Sequence, residues 1–156
     1  MPTTKPPKSV FQPESAADLK ARILNLRADS KRDWGTMTPA QAIAHTATAM
    51  QMAVGDTAPR RMFIGRIIGG FVKSLALRDD EPLKRNSPTM PELKVAGEPD
   101  LAAEQRRLID LIDRFATAGP AGCTTHPHSF FGPMTPEEWG VLTYKHVDHH
   151  LRQFGA

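Results

Sequence analysis

An all-α fold is predicted for this 156-residue chain, from three observations. Several segments repeat apolar residues at three- and four-residue spacing, and two of them begin with strong helix-start signals. No segment alternates apolar and polar residues as a half-buried strand does. Aromatic residues make up only 6% of the chain, while Ala and Met are plentiful, a composition that leans helical.

The elements follow in order. "MPTTKPPKSVFQ" has three prolines by position 7 and no periodicity, so residues 1–12 are read as a flexible, extended N-terminal arm. Residues 13–156 form one domain, since composition does not shift and the length suits a single core. In "SAADLKARILNLRA", Leu19, Ile23, Leu24 and Leu26 trace a helical stripe, with Ser15 as its expected cap and Asp18 three residues on. "DWGTM" at 33–37 ends that segment. "MTPAQAIAHTATAMQMAV" places Thr38 at an N-cap, Pro39 in the tolerated first turn and Gln41 where a capping box needs it. Gly55 and Asp56 end this second helix.

In "RRMFIGRIIGGFVKSLALR", Phe63, Ile64, Ile67, Ile68, Phe71, Val72 and Leu75 share a helical face. A core or dimer-forming helix is expected, with Gly65, Gly69 and Gly70 allowing close approach; a membrane-surface or partner-binding amphipathic helix is the alternative. Residues 79–99 hold four prolines and read as a long crossing loop of the kind that borders clefts. Leu101, Leu108, Leu111, Ile112 and Phe115 mark a further helix, which "GPAG" at 119–122 stops. After the irregular "CTTHPHSFFGP", the last helix starts with Thr135 as N-cap, Pro136 in its first turn and Glu138 as the capping-box acid.

Charge and composition narrow the function. The net charge of +3 is small and the basic residues are dispersed among acids, so no nucleic acid partner is expected. Residues 62–77 are interrupted by Arg66 and Lys73 and fall short of the roughly 20 residues of a membrane span. One cysteine, Cys123, and no secretory leader point to a cytoplasmic setting.

The chemistry concentrates in "TYKHVDHHLRQF", residues 143–154, which carries three of the six histidines. On a helical wheel His150 falls about 40° from His146, inside the apolar stripe, whereas His149 falls about 60° to the other side, at its edge. Spacing of i, i+4 stacks two imidazoles one turn apart, as two ligands of one metal ion require. A pair of core histidines bonded to water and neighbours has the same spacing, so the motif by itself leaves both readings open. His45, between small residues on the second helix, is a third candidate if that helix packs on the last one. Three histidines without a fourth protein ligand would leave a coordination position open, as catalytic sites do. Val147 stands where the HExxH pattern of zinc proteases needs Glu, and no Glu-x-x-His pair marks a di-iron bundle. Gln153, one turn from His150, is an accessory candidate and Asp148 a weaker one. His128, His126 and Cys123 lie in the preceding loop, from which they could approach the site; a lone thiol without CxxC spacing reads more simply as a surface residue.

"WGTMTPAQAIAHTA", "HSFFGPMTPEEWG" and "YKHVDHHLRQFG" together resemble an uncharacterised branch of the DinB/YfiT-like metalloenzyme superfamily. The resemblance covers the chain from about residue 10. It implies a four-helix bundle, here with a long crossing loop and an extra helical segment, commonly as a homodimer. It also implies His45, His146 and His150 as ligands of a divalent metal, Zn²⁺ foremost and Ni²⁺ or another ion as alternatives, with His149 as the extra histidine beside the last ligand. Relatives include thiol-dependent S-transferases and isomerases. The expected function is therefore a metal-dependent enzyme, a thiol-dependent S-transferase or a hydrolase, acting on a small-molecule substrate such as a low-molecular-weight thiol. The alternatives are a non-catalytic, metal-stabilised binding or stress-response module and a metal-free helical dimer. The "PLKRNSPTMPELKV" loop departs from the superfamily pattern and reshapes the expected cleft.

Overall fold

Proline and capping chemistry place the helix starts. In the computed structural model, which describes residues 5–156, α1 runs Pro13–Asn25, α2 Pro39–Ala53, α3 Phe63–Leu77, α4 Leu101–Ala118 and α5 Pro136–Gln153. The described residues contain no strand, and a single isolated bridge joins His128 to Gly132. Thr38 and Thr135 each close a full capping box, with Gln41 and Glu138 respectively, and the Asp100 side chain caps α4 by accepting from the Ala103 amide. The expected cap at Ser15 is corrected: the N-cap falls three residues earlier, at Gln12, because Pro13, whose φ is already helical, occupies the first turn. Ser15 instead lies buried inside that turn and donates to Gln12 Oε1 at 3.0 Å.

α1 and α2 each pack on both α4 and α5. Leu19 and Ile23 of α1, Ile43 and Ala47 of α2, Leu108, Ile112 and Phe115 of α4, and Val147 and Leu151 of α5 meet in one core. Each fully buried aliphatic or aromatic side chain contributes about 1.5–3 kcal/mol of burial. Leu24, expected in the α1 stripe, is exposed.

The N-terminal segment departs from the free arm expected of it. Residues 1–4 of that arm lie outside the described residues, but Val10 is fully buried and its amide donates to the Gly140 carbonyl at 3.1 Å. Phe11 meets Phe115 with ring centroids 4.8 Å apart. Glycine at 140 is required for this docking, since a Cβ there would run into Ser9 and Phe11.

α3 sits outside the shared core and contacts α5. Its glycine face is the one turned inward: Gly65 and Gly69 are buried against the backbone of Phe130, where a Cβ would collide with the Phe130 carbonyl. Phe63, Ile64, Ile67, Ile68, Phe71 and Leu75 consequently face outward, which corrects the core half of the expectation for this helix. Lys145 of α5 reaches past the helix end and donates to the carbonyls of Ala76 and Glu81, at 2.7 and 2.9 Å. This buried ammonium satisfies a carbonyl of the last turn of α3 and holds the start of the crossing loop. The loop itself contributes Met90 and Leu93 to the core, the latter from a short 3-10 turn at Pro91–Leu93. Among the described residues, no helix is long and apolar enough to cross a membrane.

Candidate metal centre

Packing of α2 on α5 brings His45 to the two histidines of the last helix. Nε2 of His45 lies 2.9 Å from Nε2 of His146, and one ring nitrogen from each of His45, His146 and His150 falls within 4.8 Å of the others. Ring centroids are 4.8 Å apart for His45 with either partner and 5.1 Å for His146 with His150. His45 is buried; His146 and His150 are partly exposed.

Neighbouring groups set the tautomers of two of the three rings. His45 Nδ1 lies 2.9 Å from the Leu93 carbonyl, which can only accept, so Nδ1 carries the proton and Nε2 keeps its lone pair. Gln153 Nε2 donates to the Trp34 carbonyl at 2.9 Å, which orients its amide and turns Oε1 toward His150 Nδ1, also at 2.9 Å. His150 therefore donates from Nδ1 and likewise presents Nε2 unprotonated. Burial pushes His45 below the ordinary imidazole value, partly offset by the Leu93 carbonyl. Burial, reinforced by repulsion from His45, drives His146 well below that value and His150 down to about 3. All three imidazoles are neutral at pH 7, the state in which imidazole binds metal.

Gln153 is held in turn by the preceding loop. Its carbonyl accepts from the Asp33 amide at 2.7 Å, and Gly35, at φ +77°, passes so close that a Cβ would strike its Nε2. His149 turns toward Trp34, ring centroids 5.6 Å apart, and lies 5.0 Å from the His150 ring. Burial lowers its pKa, against a hydrogen bond to the Leu83 backbone.

The loop histidines and Cys123 are not part of the ligand cluster, although His128 is near enough to His146 to help depress its pKa. His128 Nδ1 accepts from the amides of Phe130 and Phe131, at 3.1 and 3.0 Å, and organises the 128–132 turn. His126 is exposed and lies against the Pro59 carbonyl. Cys123 is placed at Pro136, and burial pushes its thiol up to about 11, so it is protonated at neutral pH. Neither His126 nor Cys123 belongs to the cluster, in line with the simpler reading of Cys123 as a loop residue without a ligand role. Asp148 faces away, as the wheel predicts, and is a buried hub between Arg22 of α1 and Arg152, at 2.8 Å from each.

The family described as "Protein of unknown function (DUF1569)" matches residues 10–156, a span that includes every residue of the triad and of its hydrogen-bonded surround. The chain belongs to that family. No curated protein and no solved structure matched it. The DUF1569 description names neither a reaction nor the DinB/YfiT superfamily.

Sequence reasoning passed over two parts of the candidate centre of this DUF1569 chain. The Leu93 acceptor is a main-chain carbonyl, and any residue supplies one, so no side-chain signal marks it. Trp34 and Gly35 stand in "DWGTM", which reads as a helix stop; the glycine was the available signal of close backbone approach.

Proposed function

We propose that His45, His146 and His150 bind a divalent metal ion, with Zn²⁺ as the first candidate and Ni²⁺ or another ion next. The protein is then a metal-dependent enzyme of DinB/YfiT-like type, a thiol-dependent S-transferase or a hydrolase acting on a small molecule. One observation carries this reading: the protons of His45 and His150 are drawn outward, to Leu93 and Gln153, which leaves their inner nitrogens as lone pairs beside His146. Metal-ligating histidines characteristically donate their second N–H in this way.

The donor set fits a zinc-type ion. Two nitrogens bound at 2.0–2.1 Å in a tetrahedral site stand about 3.3 Å apart, and His45 and His146 stand at 2.9 Å. Three imidazoles also leave a position for substrate, which favours an enzyme over a purely structural site. When bound, such an ion supplies Lewis acidity that lowers the pKa of a thiol or water. Leu93 and Gln153 keep the rings in the ligating tautomer, while the buried second-helix position of His45 excludes water from one side. The exposed face of α3 supports a homodimer as the assembled form.

Metal analysis of protein purified without a histidine tag tests the reading. Stoichiometric Zn²⁺ or Ni²⁺ that is lost in His146→Ala and His150→Ala is the expected result, and a metal-free protein of undiminished stability that takes up neither ion would sink it. Thiol-transfer and hydrolysis assays on the loaded protein then separate an enzyme from a binding module.

A further inference from the structure

A cavity of about 410 Å³ lies beside the triad, between the loop after α1, the start of the crossing loop and the end of α5. Its walls include Trp34, Leu83, Arg85, His149 and Arg152. The volume falls in the range of small-molecule sites. The Arg85 Cζ lies over the Trp34 ring, 4.0 Å from its centroid; a guanidinium held on an aromatic face in this way can still bond an oxyanion through its N–H groups. Arg152 engages Asp148 through Nε at 2.8 Å, so its terminal nitrogens remain for another acceptor. The acidic groups nearby are matched: Asp148 is shared by Arg22 and Arg152, and Arg22 also donates to the Ala156 carbonyl oxygen at 3.0 Å. The cavity therefore presents two guanidinium groups and an indole, with Ala156 also in its wall.

The cavity is also tied to the triad. His149 is the residue before His150 and belongs to the cavity wall, and the Trp34 carbonyl accepts from the same Gln153 amide that holds His150.

We propose that this cavity binds an oxyanion-bearing small molecule, its carboxylate or phosphate on Arg85 and Arg152 and its apolar body against Trp34. The inference names a substrate class for the centre described above and rests on that reading only in treating the ligand as a substrate; binding itself does not require the metal. Planar guanidinium forks match both oxyanions, and an anionic group held here would position the rest of the molecule one residue along α5 from His150.

The test is a calorimetric and tryptophan-fluorescence titration of the full chain, metal-free and Zn²⁺-supplemented, with benzoate, phenyl phosphate and neutral benzamide. At least one of the two anions should bind about tenfold or more tightly than benzamide, and whichever binds better identifies the oxyanion. Arg85→Gln, at an exposed position, should weaken that anion about tenfold while leaving the circular dichroism spectrum intact, and Arg85→Lys should restore part of it. Trp34→Phe should remove the fluorescence response. Equal binding of all three compounds, binding of none, or unchanged affinity in Arg85→Gln would overturn the proposal. Metal uptake without anion preference would sink this inference alone; anion preference without metal uptake would sink the metal reading alone.

Discussion

Gln153 joins α5 to the loop after α1 through one amide, donating to Trp34 and accepting from His150. Gln153→Leu conserves bulk but removes both bonds, leaving the Trp34 carbonyl unpaired and the His150 tautomer free. Metal affinity should fall about 10–100-fold, read by competition with a chromogenic chelator; an unchanged constant would show that the amide does not orient the ligand. His128 gives a second test at this scale. Its Nδ1 must stay unprotonated to accept two backbone amides, and burial, aided by repulsion from Arg61, depresses it to about 4. The folded state thus holds fewer protons than the unfolded state between about pH 4 and the unfolded value near 6.5. Stability from this group is complete above about pH 6.5 and is lost as pH falls toward 4, by at most about 3 kcal/mol. Urea midpoints across this window should show a shallower pH slope in His128→Gln than in the native chain. Parallel slopes in the two proteins would refute the assignment.

Among the elements, α2 and α5 were the most legible, and for a local reason. A capping box needs only residues three apart, so "MTPAQ" and "MTPEE" announce both starts, and both boxes form. The start of α1 was misjudged because Ser15 and Pro13 are competing local signals, and the proline won. α3 shows what periodicity leaves open. Its apolar stripe is real, but which face turns inward depends on a partner 65 residues away, the Phe130 backbone. Gly69→Val should therefore detach α3 from the 128–132 turn, costing on the order of 1–3 kcal/mol as overpacking does, whereas Gly70→Val, in open space, should cost less than 1 kcal/mol. Thermal denaturation of the pair measures the contrast, and equal losses would contradict the packing.

For the whole molecule, the outward face of α3 is the dominant surface feature. Phe63 is 79% exposed and Phe71 71%, and with four aliphatic neighbours they expose roughly 600 Å² of apolar surface. That area approaches the roughly 800 Å² each partner contributes to a standard interface, which supports self-association through α3. Light scattering should find a dimer, and Ile67→Asp should yield a monomer that retains its metal. A native protein that stays monomeric at high micromolar concentration would refute the dimer. Helix content, the starts of α2 and α5, and the pairing of His146 with His150 were set by the sequence alone, because capping and i, i+4 geometry act within one helix. The sequence did not determine that His45 meets that pair, that Leu93 and Gln153 hold its rings, or that α3 turns its glycines inward. Those outcomes depend on which helix packs on which, and on backbone groups that have no side-chain identity, so only the tertiary structure decided them.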